Sequence, residues 1–272
     1  MARTATAPRR TVTRAATRAA AKVAAKAASP AKAERTVKTA ARPLATYRRK
    51  RDLSTSPEPP AVLAARRHLG LAYCIQKHLA SHLHYDFRLE HRGVLLSWAV
   101  PKGPSCDPTV KRLAMQVEDH PLAYGAFEGV IPSGYGAGIV VLWDRGLWQP
   151  LVPDVDAALA KGHLPFVLLG EKLQGAWALL RAERAGRSAW LLIKQHDRWA
   201  VGGDITHSAP GSVASQGDFA EVLARLAHDP WADHPPASGG ETGALFRSVR
   251  LAAQRLRARQ ARPARRNAAR GN

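Results

Sequence analysis

The chain has 272 residues and a formal net charge of +20, concentrated at its ends: Met1 to Thr46 carry eleven Lys and Arg against one acid, and Ala244 to Asn272 carry nine Arg and no acid. One nearly neutral domain with two basic extensions is therefore expected, and two cysteines, Cys74 and Cys106, exclude a disulfide scaffold and predict reduced thiols. No run is apolar enough for a membrane span or a signal-peptide core, so the expectation is a cytoplasmic, nucleoid-associated protein with no membrane partner.

Residues 1–46 are mainly Ala, Lys, Arg, Thr and Pro and have too few large apolar side chains to offset the entropy of ordering, which predicts a disordered basic arm. Such an arm neutralises phosphates and binds nucleic acid without choosing sequence; a solubilising tail or a transit peptide is the alternative. Ser54 to Pro60 read by composition as an extended Pro-rich linker, with the compact core starting near Leu63 to Leu71.

Short strands are then predicted at 72–77, 84–91, 94–100, 112–118 and 138–144, separated by turn signals such as Arg92-Gly93 and Pro132-Ser133-Gly134. A helix is predicted over 154–161, and three further strands at 164–169, 175–182 and 188–195, the last two joined near Ala185-Gly186. Many short strands with one short helix among them predict a mainly β fold, a closed or crescent β-barrel, rather than a parallel α/β sheet. Phe219 to Leu226 is amphipathic and expected to pack as a helix outside the barrel, while Leu245 to Arg259 is a candidate basic helix for DNA. The expected organisation is an arm at 1–46, a barrel domain at 47–203, and an extension with a short helix and basic tail at 204–272.

Read as a strand, His84-Tyr85-Asp86-Phe87-Arg88-Leu89-Glu90 sends Tyr85, Phe87 and Leu89 to one face and His84, Asp86, Arg88 and Glu90 to the other. Isolated charges are costly to bury, so the ionisable face predicts a functional cleft. A turn near Leu79 to Leu83 would return the chain so that His78 lies beside His84 and Asp86, and two imidazoles plus a carboxylate with open positions suit a catalytic divalent metal. A second polar group, Glu118-Asp119-His120 with Tyr124, sits where a strand gives way to a loop, and Lys102 and Arg112 lie between the two clusters as candidate phosphate contacts. Tyr135-Gly136-Ala137-Gly138 lacks the Lys-Ser/Thr of a nucleotide loop and predicts a tight turn or a close backbone approach.

Taken in order, Gln76-Lys77-His78, His84 to Glu90, Ser97 to Pro104, Val117 to Pro121, Phe127 to Pro132, Tyr135 to Gly138 and Trp143 to Gly146 closely resemble the 3′-phosphoesterase domain of bacterial DNA ligase D, which also occurs as a stand-alone protein. Lys50-Arg51-Asp52-Leu53 with Pro57-Glu58-Pro59 resembles the short N-terminal motif of that family, so the resemblance covers about residues 47–200 and neither basic end. It implies a manganese-dependent β-barrel enzyme that removes a 3′-phosphate or a 3′-terminal ribonucleotide from DNA to leave a 3′-hydroxyl. The family's metal ligands fall on His78, His84 and Asp86. Its phosphate-contacting and catalytic positions fall on Arg88, His120 and Tyr124, with Lys102, Arg112, Gln76 and Glu118 at further functional positions, and Arg51, Asp52 and Glu58 at the positions linked to ribonucleotide removal. One departure is the loop before Tyr135, which has only Ser133-Gly134 where the family usually has one more residue.

The implied partners are DNA 3′ ends in a primer-template or duplex, together with a DNA ligase and end-binding proteins, since the sequence contains no Lys-x-Asp-Gly adenylation motif. The competing reading is a non-catalytic basic protein that binds or bridges DNA ends; it accounts for the charge but not for the full set of metal and phosphate positions.

Overall fold

The alternating apolar runs pair into one antiparallel sheet that closes on itself. Its strands are β1 (Leu71–Leu79), β2 (Leu83–His91), β3 (Val94–Val100), β4 (Arg112–Gln116), β5 (His120–Pro121), β6 (Gly129–Ile131), β7 (Gly138–Pro150), β8 (His163–Gly170), β9 (Gln174–Arg181) and β10 (Ala189–Lys194). Pairing runs β1-β2-β3-β4-β10-β9-β8-β7, and β7 returns to β1, so eight strands form a closed barrel with β5 attached to β3 and β6 to β7. The structure is a computed structural model that describes residues 43–63, 70–182, 188–231 and 234–268. The expected basic arm up to residue 42 and the expected turn at Ala185-Gly186 lie outside them.

One parity of the strands fills the barrel. Ile75, Phe87, Trp98, Ala114, Trp190, Leu192, Trp177, Leu179, Phe166, Leu168 and Trp143 form a single buried cluster contributed by all eight strands. This is the interior face, as the alternation of β2 predicts. His78, His84, Asp86 and Arg88 have the opposite parity and therefore stand on the outer wall. The β2–β3 hairpin turns on Arg92 (φ 49) and Gly93 (φ 81), two left-handed residues that match a tight turn to strand twist.

Helices cover the outside: α1 (Pro43–Lys50), a 3₁₀ turn at Leu122–Ala126, α2 (Val155–Lys161), α3 (Ile205–Ser208), α4 (Phe219–Ala224) and α5 (Gly240–Ala268). Asp154 caps α2 by accepting from the Ala157 N–H, and Asp218 with Glu221 closes a capping box on α4. No helix among the described residues is long and apolar enough to cross a membrane.

Three expectations are corrected. Residues before 47 already pack onto the barrel, because α1 starts at Pro43 and both Leu44 and Tyr47 are fully buried. Ser54 to Pro60 are not a free linker: the Tyr47 hydroxyl donates to the Pro59 carbonyl, Arg48 to the Ala61 carbonyl, and Glu58 is buried. The candidate basic helix at Leu245 to Arg259 is a helix, but it runs longer, Gly240–Ala268, and instead of standing free as a tail it docks through Phe246, Val249 and Ala253 onto α4 and the outer faces of β1, β6 and β7. In addition β7 continues to Pro150 instead of ending near residue 144, and it bulges at Trp143, between Asp144 opposite Ile75 and Leu142 opposite Gln76 of β1.

Candidate active site

Register places the first cluster. In the β1–β2 hairpin His78 stands opposite His84, Gln76 opposite Asp86 and Cys74 opposite Arg88, so the side chains of one face converge across the two strands. Asp86 lies 3.7 Å from His78 Nδ1 and 3.8 Å from His84 Nε2, and the three ligand atoms fall within 4.8 Å of one another. His78 Nε2 is 3.0 Å from the Gly136 carbonyl, and His84 Nδ1 is 2.9 Å from the His82 carbonyl. A carbonyl only accepts, so each of those nitrogens carries the proton, and the free lone pairs of both rings point at Asp86. Outer hydrogen bonds of this kind are how metal-binding imidazoles are oriented. The donor set thus fits a divalent cation.

The Tyr135-Gly136-Ala137-Gly138 turn provides that outer contact. Gly136 has φ +80, and a Cβ on Gly138 would lie 2.3 Å from the Leu79 carbonyl oxygen, so both positions require glycine for the turn to approach His78.

Arg88 is 2% exposed and held on three sides: Nε donates to Gln76 Oε1 at 2.8 Å, one terminal nitrogen to Ser97 Oγ at 2.8 Å, and the other pairs with Asp86 at 3.1 Å. Among the described residues one N–H on each terminal nitrogen has no acceptor and is open for an anion. Burial opposes ionisation of Asp86, but the Arg88 guanidinium outweighs it and holds the carboxyl well below the usual carboxylate range. Gln76 is itself fixed, since its amide donates to the carbonyls of Tyr124 and Phe127 at 2.9 and 2.8 Å.

The roof comes from the N-terminal segment. Arg51 donates through Nε to Glu58 at 2.8 Å, and through its terminal nitrogens to Glu118 at 3.0 Å and His120 Nε2 at 3.1 Å. Tyr124 donates its hydroxyl to Glu58 at 2.9 Å, and Lys50 reaches Glu118 at 2.9 Å and the Tyr135 hydroxyl at 3.1 Å. His120 Nδ1 donates to the Glu118 carbonyl at 2.8 Å. Burial, then Arg88 and Arg51, push the His120 pKa well below its ordinary value, so the ring is neutral and accepts from Arg51. Burial and the Glu58 carboxylate raise Tyr124 well above the usual phenol value, keeping it a hydrogen-bond donor.

These groups line one cavity of about 230 Å³ that holds Arg51, Glu58, His78, His84, Asp86, Arg88, Glu118, His120 and Tyr124 together. Gln76 supports it from behind. Lys102 and Arg112 do not line it: Lys102 is exposed on the turn after β3, and Arg112 opens β4 opposite Leu192, on the interior parity, with its Nε buried and lacking an acceptor. Asp52 is also outside, its carboxylate closing a local turn onto Ser54. Sequence reading assigned no role to Ser97 or Lys50. Ser97 was findable as the only polar residue of β3, whose register partner is Arg88; Lys50 was findable as the first residue of the Lys50-Arg51-Asp52-Leu53 motif, in which only Arg51 and Asp52 were given roles.

Comparison with known proteins finds relatives over the same stretch of chain. The family described as the DNA ligase D 3′-phosphoesterase domain matches residues 76–181. The multifunctional non-homologous end joining protein LigD of Pseudomonas aeruginosa is 54% identical over 183 residues, covering 65% of this chain and 22% of that protein. The LigD proteins of Mycobacterium tuberculosis and Mycolicibacterium smegmatis are 43% and 40% identical, over 57% of this chain in each case and 20% and 21% of theirs. The chain therefore spans about a fifth of the length of these relatives. Residues 76–181 are thus similar to the DNA ligase D 3′-phosphoesterase domain, and the same stretch of chain carries both polar clusters of the cavity.

Proposed function

We propose that this chain is a metal-dependent phosphoesterase that processes DNA 3′ ends, removing a 3′-phosphate or a 3′-terminal ribonucleotide to leave a 3′-hydroxyl for a DNA ligase in end joining. The observation that carries this reading is the convergence of His78 Nδ1, His84 Nε2 and an Asp86 oxygen beside the open N–H groups of Arg88. Two imidazoles and one carboxylate with positions left open suit Mn²⁺, among other divalent ions. When bound, the ion supplies Lewis acidity to a phosphate oxygen and a lowered pKa to a coordinated water.

The protein side chains do the rest. Arg88 and Arg51 each keep two N–H groups free, and these take the non-bridging phosphate oxygens and stabilise charge as it develops there. His120 is a neutral acceptor whose lone pair aims the Arg51 fork, and Tyr124 together with Glu118 and Glu58 holds that fork in place. This arrangement favours charge stabilisation over proton donation by His120. Gln76 positions Arg88. For Lys102 and Arg112 the support is the family match alone, and a phosphate role for them rests on substrate reaching beyond the cavity.

The test is a labelled primer-template ending in one 3′-ribonucleotide, and a second ending in a 3′-phosphate, each incubated with the protein and either Mn²⁺ or EDTA. Metal-dependent conversion of one or both ends is expected. Conversion of neither, with binding to DNA intact, would point to the non-catalytic end-binding alternative.

A further inference from the structure

The appended helix α5 is amphipathic in an uneven way. Phe246, Val249 and Ala253 are buried, with Leu245 and Leu256 partly so, and this stripe seats the helix on a cluster that includes Phe219, Val222, Leu223 and Trp231. The opposite face carries Arg247, Leu251, Arg255 and Arg259 at successive four-residue steps, all exposed. Arg247 donates to the Ser238 carbonyl, while no carboxylate pairs with Arg247, Arg255 or Arg259 among the described residues. Arg250 and Arg257, by contrast, are engaged by the Asp229 carboxylate and by the Leu223 and Leu226 carbonyls. The only acid in α5 is Glu241, in its first turn. A row of guanidiniums without carboxylate partners on a rigid helix is costly by self-repulsion unless anions are nearby.

Where the helix docks matters as much as its charge. The cluster under α5 includes Leu79, directly after His78, and Leu83, directly before His84, so the helix is seated on the hairpin that carries both imidazoles. Trp231, within the same cluster, donates its indole N–H to the Pro132 carbonyl, next to the cavity-lining Ile131. At 29 residues, α5 extends about 40 Å, comparable to one turn of duplex.

We propose that the exposed Arg247–Arg255–Arg259 stripe of α5 binds the phosphate backbone of duplex DNA flanking the 3′ end held in the cavity. The occupant follows from charge complementarity and from continuity with the cavity, and in placing the 3′ end there it rests on the proposed phosphoesterase function. The helix, Gly240–Ala268, lies outside residues 76–181, the segment matched to the family.

The experiment measures affinity for a blunt duplex of roughly 20 base pairs in EDTA across a salt series, so that no catalysis is involved. For the full chain carrying Arg247→Gln, Arg255→Gln and Arg259→Gln together, the slope of log K against log salt should shrink by about 2.7, or 0.9 for each phosphate no longer neutralised. The three matching Arg→Lys changes should preserve the slope. A control triple on other elements, Lys111→Gln, Lys161→Gln and Arg198→Gln, removes the same charge and should leave it nearly unchanged. If the Gln triple does not melt like the parent, the single Arg255→Gln variant should show a loss of about 0.9. An unchanged slope, an equal loss in the control triple, or loss of binding to anionic phosphatidylserine vesicles without loss on DNA overturns the proposal. Because the readout is metal-free binding, a smaller slope alongside failure of the primer-template assay would remove the proposed function and leave the duplex surface standing.

Discussion

The two halves of the cavity are built by different means. The half with the candidate metal ligands is one hairpin: His78, His84, Asp86 and Gln76 face one another because strand register puts them in directly opposed pairs, and nothing but a turn separates the two strands in sequence. The roof half joins residues far apart, with Arg51 bridging Glu58, Glu118 and His120 across up to 69 positions. The hairpin is held by a continuous backbone ladder, whereas the roof depends on a single helix, α1, docking through Leu44 and Tyr47. A hairpin-borne site should therefore survive perturbations that open the roof, and the two halves should be separable by experiment.

The largest effect is expected at the hairpin. Changing His84 to Ala removes one ligand without touching the barrel interior, so turnover should fall by about 10³-fold or more while the melting temperature stays near that of the parent. Steady-state rates at saturating Mn²⁺ check this; activity within a factor of about ten would break the metal assignment.

Next comes the roof. Leu44 is fully buried, and Leu44→Ala should cost about 2–3 kcal/mol, felt locally as undocking of α1. Amide exchange over residues 43–61 should then speed up by roughly 30-fold or more while the β1–β2 amides keep their protection. Equal acceleration in both regions would show that roof and barrel open as one cooperative unit, and the division into two independent halves would fail.

The smallest effect is a pH dependence at the edge of the roof. Burial and the neighbouring Glu118 carboxylate push Asp119 up to about 6, and the side chain has no hydrogen-bond or ion-pair partner among the described residues. The folded state then holds a proton that the unfolded chain has already released, so stability should decline as pH rises from about 4 to about 6. Asp119→Asn removes that penalty and should be stabilising by on the order of 1–2 kcal/mol above pH 6, with the advantage fading below pH 4. Melting curves of both proteins across that range test it; an advantage that does not change with pH would assign the effect to something other than ionisation.

Strand alternation was legible because its period of two is local, and that period alone sorts Tyr85, Phe87 and Leu89 from His84, Asp86 and Arg88. The convergence of His78, His84 and Asp86 was legible for the same reason, since a turn between Leu79 and Leu83 has only a few ways to return the chain. Composition misread Ser54 to Pro60 because proline-rich segments look alike whether they float or pack. What orders this one is the contact of Glu58 with Arg51 and Tyr124, which are distant or buried groups that composition does not weigh. Lys102 and Arg112 show the reverse limit: residue type marked them as phosphate contacts, but strand parity and turn position keep them from lining the cavity.

The sequence by itself determined the eight barrel strands, the parity that separates core from site, the resemblance to the ligase D phosphoesterase domain, and the three candidate ligands, all of which follow from local periodicity and short motifs. Closure of the barrel through the β7–β1 pair, the Arg51 roof over the cavity, and the seating of α5 on the histidine hairpin were decided only by the tertiary structure. Each of these joins segments tens of residues apart, and such contacts are selected by the burial and charge balance of the whole fold, which no local pattern records.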